Sequence, residues 1–148
     1  MHGVFLFFHN ILRWVVLILA AWALFRAYSG WLGKRNSTEA DRKAGVFFGI
    51  GMDIQLLVGL LLYFLVSPLT RAALQNFSAA MSSRELAFFA VEHGVVMLLA
   101  VVLVHLGSIF SRRARNDLAR HRAAAIWYTI ATLAVLASIP WWRPLLRI

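Results

Sequence analysis

Six ionisable residues stand inside long apolar stretches of this chain: His9, Arg13, Asp53, Glu92, His93 and His105. An ionisable side chain in such a stretch is costly and by default marks a site. His9 lies about five residues into the first stretch and His93 about seven into the third, so at ~1.5 Å per residue their depths are roughly 8 and 10 Å. In an up-down-up-down bundle, helices one and three run parallel and stand on a diagonal. Two imidazoles at nearly one depth on such helices can ligate one iron from both faces of a porphyrin, the bis-His arrangement of a b-type haem. Gly94 follows His93, and Ala90 with Gly94 makes a small-xxx-small spacing that lets a flat macrocycle or a neighbouring helix come close. Read singly, each His is more often a structural hydrogen-bonding group at a wet rim than a ligand. Four-coordinate zinc takes three or four protein ligands, and only two histidines converge here. The absence of Cys excludes thiolate metal sites, disulfides and thiol catalysis.

The other polar residues have their own expectations. Arg13 follows His9 by one helical turn, on the same face and deeper. Asp53 is its expected partner, within about 5 Å in depth, and such a pair can be bidentate. That pair is either architectural, or it leaves Arg13 facing a haem propionate or a quinone carbonyl and Asp53 handling a proton. Gln55, about 200° from Asp53, heads a stripe with Gly59 and Tyr63 expected to pack on a partner helix. His105 points about 120° away from His93, so a second haem is not expected and His105 reads as a structural donor or headgroup contact. Glu92 is expected in water at the outer rim or beside Arg84. His2 shares the face of His9 at the surface, where it would shape a cofactor mouth. His121 belongs to a basic loop and reads as a solvated charge.

These residues need elements to carry them. The chain has 148 residues, 61% of them hydrophobic and 14% charged, with a mean hydropathy of +0.75. A soluble domain is about 45–50% apolar and about 25% charged, so a soluble globular fold is excluded. Four apolar blocks run over about 4–28, 45–66, 86–110 and 123–139. Each is near the ~20 residues that cross a bilayer, and backbone groups in lipid must be satisfied internally, which calls for helices. No alternating pattern suggests a β-barrel. Thr38 before Glu39 and Asp41 suits a helix start, Ser82 and Glu85 have capping-box spacing, and Pro68 after Ser67 suits a first helical position. Leu69, Ala73, Phe77 and Met81 then recur every four residues, predicting one short surface helix over 68–81. Pro140 ends the fourth block, and Trp141 and Trp142 suit an interfacial belt. The expected fold is all-α: a single domain, an integral membrane up-down-up-down four-helix bundle with a surface helix between its second and third spans.

Charge sets the orientation. The net charge of +9 gathers in the first loop (Lys34, Arg35, Arg42, Lys43) and the third (Arg112, Arg113, Arg115, Arg120, Arg122), against Arg71 and Arg84 in the second. By the positive-inside rule the first and third loops are cytoplasmic. Both termini and the second loop then face the periplasm, which places the protein in a bacterial inner membrane. The positive charge is thus explained by topology and anionic headgroups, without nucleic acid. The first block lacks a basic leader region and a small-residue cleavage site, so it reads as a retained span rather than a cleaved signal.

Three segments carry a resemblance: Phe8-His9-Asn10-Ile11-Leu12-Arg13-Trp14, the run from Asp53-Ile54-Gln55 to Tyr63-Phe64, and Phe89-Ala90-Val91-Glu92-His93. With the Gly30-to-Lys34 turn, Ser67-Pro68-Leu69 and Ile139-Pro140-Trp141, the chain over nearly its whole length resembles small bacterial four-span proteins labelled cytochrome B, or b-type cytochrome-like. The resemblance implies one haem b on His9 and His93, with Asn10, Arg13 and Gly94 in the pocket. Many of those relatives carry His where this chain has Asp53, which argues against a third ligand or second cofactor here. The function expected is one-electron transfer near the outer face, with a quinol or a periplasmic carrier as donor. That makes it an electron carrier or subunit rather than a stand-alone enzyme, working with other membrane or periplasmic electron-transfer proteins. The reading from a different class is a haem-free accessory subunit packed on a larger respiratory or photosynthetic complex. A transporter fits less well, since no Pro interrupts the spans near the midplane.

Overall fold

The computed structural model describes residues 1–143. Every regular element among them is helical: α1 (His2–Leu32), α2 (Glu39–Leu61) running into a π-helical turn (Leu62–Val66), α3 (Pro68–Gln75), α4 (Phe77–Met81), α5 (Arg84–Ala87) running through a second π-helical turn (Phe88–Glu92) into α6 (His93–Arg113), and α7 (Asp117–Ala137).

Three stretches are long and apolar enough to cross a membrane: His2–Leu32, Glu39–Val66 and Arg84–Arg113. Only 22%, 28% and 33% of their most apolar windows is buried inside the protein, so most of that apolar surface faces outward, as it must when lipid is the solvent. The helix expected over 123–139 is present as α7 but is not among the three. It starts earlier, and Asp117, Arg120, His121 and Arg122 sit in its first two turns.

The core follows helical spacing. In α1 the buried positions are Asn10, Arg13, Val16, Ala20, Ala23, Ala27 and Gly30, a three-and-four stripe whose lower half is small. Small residues allow close helix approach where burial of apolar area cannot drive it. Thus Gly45 faces the Tyr128 hydroxyl and Gly107 faces the Tyr128 ring, each too close for an added Cβ. α1 packs along α2 and α7, α6 packs along α7, and α2 packs less extensively along α6. α1 and α6 share no extended contact and stand across from each other.

The first connection is a charged clasp. Asp41 accepts a bidentate pair from Arg35 at 2.8 and 2.9 Å and a third bond from Arg26 Nε at 2.8 Å. Its Oδ2 also takes the Thr38 amide at 2.8 Å, capping α2 where the sequence signals its start. Lys34, rather than Gly33, adopts the left-handed backbone conformation of this turn. His121 departs from the sequence expectation: it is 2% exposed, lies over Gly30, and donates through Nε2 to the Arg35 carbonyl at 3.0 Å. A carbonyl freed by the end of α1 gives the ring a buried partner, so it is not a solvated charge.

The predicted surface helix over 68–81 is two helices. Asn76 leaves helical geometry (φ −140°, ψ 78°) and its side chain caps α4 by accepting from Ala79. Only Ala73 of the expected stripe is buried; Phe77 and Met81 are exposed. The next helix begins one residue later than the Ser82–Glu85 spacing suggests, with Ser83 as its cap.

Candidate functional site

His9 and His93 meet. Their ring centroids are 6.2 Å apart with planes at 68°. His9 sits two turns into α1, and His93 is the first residue of α6 after the Phe88–Glu92 π turn. A π turn inserts an extra residue into the helical register and is frequent at functional sites; here it determines which way His93 leaves the helix. Phe88 and Phe89 flank its ring, with centroids at 5.7 and 6.3 Å. Its Nδ1 donates to the carbonyl of Ser138, just past the end of α7, at 2.8 Å. That bond fixes the ring and leaves Nε2 available.

His9 is held differently. Gln55 donates from its amide nitrogen to the His9 carbonyl at 3.0 Å, and the same nitrogen lies 3.3 Å from His9 Nε2. His9 Nδ1 and Gln55 Oε1 are buried with no hydrogen-bond partner in the protein. As the spacing predicts, Gln55 faces away from Asp53 and its stripe packs on other helices, with Gly59 against the His9 ring and Tyr63 bonded to Ala90. At 3% exposure Gln55 is also a full member of the site. Its spacing relative to Asp53 already separates the two, but not which of them points inward.

The two π turns are joined. The Tyr63 hydroxyl in the first donates to the Ala90 carbonyl in the second at 2.6 Å, and Thr70 donates to the Tyr63 carbonyl at 2.6 Å. These bonds pin α3 beneath the site and hold the start of α6 against the end of α2.

Two cavities flank the imidazoles. One, of about 280 Å³, is lined by His9, Asn10, Arg13, Val16, His93 and Arg143 among others. The other, of about 670 Å³, is lined by His2, His9, Gln55, Gly59, His93 and Gly94 among others. Both histidines line both cavities. Gly94 faces open space, with nothing within 4 Å of where its Cβ would be. At the rim Arg143 pairs with Glu85 and lies 4.5 Å above the Phe89 ring, a cation that sequence reading passed over. Glu92 is exposed, and Glu85 is the carboxylate of this rim.

Asp53 does not serve Arg13. It pairs with His105, Nε2 to Oδ1 at 2.8 Å, with both side chains half exposed. The physical reason is rotation: Arg13 is on the buried face of α1, whereas Asp53 is on an exposed part of α2 that borders α6. Among the described residues no three His, Cys, Asp or Glu side chains gather as a metal cluster. Comparison with protein-family models, curated proteins and solved structures found no match to the chain.

Proposed function

We propose that the protein is an up-down-up-down membrane bundle of four spans, α7 being the fourth, that holds one haem b between His9 and His93 for one-electron transfer. The observation that carries this reading is the placement of the two imidazoles. An imidazole nitrogen binds a first-row metal at about 2.0–2.1 Å, so rings on opposite sides of one ion stand with centroids roughly 6–6.5 Å apart. The separation here is 6.2 Å.

Three further features support it. Two open volumes are lined by both histidines, and the larger, about 670 Å³, is of the size of a small-molecule site. His93 has the outer-shell partner that metal-bound histidines usually have, a carbonyl accepting from the other ring nitrogen. His9 carries a buried ring nitrogen that no protein group satisfies, and an unsatisfied buried polar atom costs about 1–3 kcal/mol. His9 and His93 would hold the group, with Asn10, Arg13 and Gly94 in its pocket, and Arg13 and Arg143 would face its acidic substituents. Such a group supplies one-electron exchange at iron, with its potential tuned by ligands, burial and nearby charge. The chain's own residues aim the His93 ring, through the Ser138 carbonyl, and hold the His9 backbone, through Gln55.

The charge distribution supports an inner-membrane placement with the site at the periplasmic side. Lipid and other electron-transfer proteins are then its partners, and a quinol is one candidate donor. The test is the oxidised and dithionite-reduced absorption spectrum of protein purified from cells supplied with haem. A low-spin b-type spectrum lost in both His9→Ala and His93→Ala is expected. A colourless, folded preparation would overturn the reading.

A further inference from the structure

The Asp53–His105 pair lies outside the candidate site and has no role in it. His105 is 47% and Asp53 50% exposed, on the seam between α2 and α6. Both are inside apolar stretches that cross the membrane by length and composition. A half-exposed carboxylate and imidazole on that surface would face lipid, where polar groups are strongly disfavoured. Each also keeps an unused group: among the described residues neither Asp53 Oδ2 nor His105 Nδ1 has a hydrogen-bond partner.

The residues around the pair are patterned. On α2, Val46, Ile50, Asp53 and Leu57 recur at spacings of four, three and four, and the three apolar ones are 36%, 46% and 59% exposed. On α6, Leu98, Val102 and His105 recur at four and three, again exposed. The same three-and-four spacing lines the outward faces of α1 (Phe7, Ile11, Trp14, Ile18) and α7 (Ile126, Ile130, Leu133), so the polar pair, not the spacing, sets this face apart; one polar position within a helix–helix seam can set its register. Lipid contact alone asks for no polar group there.

We infer that the α2–α6 seam is the contact face of a two-fold dimer of this chain in the membrane, with Asp53 and His105 of each copy meeting those of the other. The choice of a second copy follows from the pair itself. It leaves one carboxyl oxygen and one ring nitrogen unused, which form a donor–acceptor set when the pair carries no net charge (imidazolium with carboxylate, or imidazole with carboxylic acid), so a two-fold axis lets each copy's imidazole serve the other's carboxyl group. A two-fold contact is isologous in this sense, and hydrogen bonds between helices are a recognised association force in bilayers. The inference does not depend on haem.

The chain has no Cys, so single cysteines report position cleanly. Membranes carrying Leu57→Cys or Val102→Cys are treated with a short bismaleimide, with Ile18→Cys on α1 and Ile130→Cys on α7 as exposed controls. A dimer of the 16.7 kDa chain is expected from the seam positions and not from the controls. Adding Asp53→Leu and His105→Leu together to Leu57→Cys is expected to lower the dimer yield about tenfold, the order of one or two interhelical hydrogen bonds in a bilayer. Native mass spectrometry of the unmodified protein in lipid nanodiscs is expected to give two copies, which keeps the test independent of how any variant folds. A single copy by mass, equal cross-linking at all four positions, or cross-linking only to a different protein would overturn the inference.

Discussion

The imidazole of His93 donates through Nδ1 to the backbone carbonyl of Ser138 at 2.8 Å, so the first residue of α6 is aimed by the end of α7. The acceptor is backbone, so the Ser138 side chain is not needed for the bond. Ser138→Ala is expected to change stability by less than about 0.5 kcal/mol. His93→Leu is expected to cost about 1–3 kcal/mol, because it leaves that carbonyl unpaired. Thermal unfolding of the haem-free protein in detergent checks both, and a large loss in Ser138→Ala alone would contradict the assignment.

Gln55 joins α2 to the site by donating to the His9 carbonyl. Gln55→Leu removes that donor and is expected to cost about 1–2 kcal/mol. Because Gln55 also touches the His9 ring edge, the same variant should shift the potential of the haem-loaded protein. Redox titration against wild type reads that shift; an unchanged potential and melting temperature would remove Gln55 from the site.

Gly30 and His121 pack closely at the opposite end. A Cβ on Gly30 would come within 2.3 Å of the His121 ring, which its bond to Arg35 holds in place. Gly30→Ala should gain up to about 1 kcal/mol in helix propensity but lose about 1–3 kcal/mol to overpacking. Net destabilisation is expected, with recovery when His121→Ala is added. A stabilised single variant would contradict the packing.

Asp41, in the first turn of α2 ahead of the apolar block over 45–66, gives a pH dependence at the membrane's edge. Burial pushes its carboxyl up, but hydrogen bonds from Arg35, Thr38 and Arg26 outweigh that and hold it well below the usual carboxylate range. A carboxyl depressed on folding contributes stability above its ordinary value of about 3.9, and that contribution is lost as pH falls through the folded-state value. Asp41→Asn should therefore be less stable than wild type at neutral pH, with the gap closing as the medium is acidified. Melting temperatures across that range show it; a constant gap would place the stabilisation elsewhere.

How far the sequence could be read follows from where each signal lies. Apolar block length places the helices because lipid leaves the backbone no other solution, and the Thr38 and Pro68 starts are local chemistry. His9 and His93 could be paired in advance because depth along a helix follows from the 1.5 Å rise. Rotation about the helix axis does not: it is set by packing, which is why depth alone points Asp53 at Arg13 although it meets His105, and why spacing separates Gln55 from Asp53 without saying which of them enters the site. The two π turns also escape sequence reading, and the Tyr63–Ala90 bond that joins them links segments far apart in the chain. His121 is a buried donor because the Arg35 carbonyl, in the loop after α1, comes within its reach.

The central claim is that one iron is held by His9 and His93, and electron paramagnetic resonance of the oxidised, haem-loaded protein tests it most directly. A low-spin ferric signal with two imidazole ligands is expected in wild type. Conversion to high spin, or loss of haem, is expected in each of His9→Ala and His93→Ala. A low-spin signal unchanged in either variant, or folded wild-type protein that takes up no haem, would contradict the account.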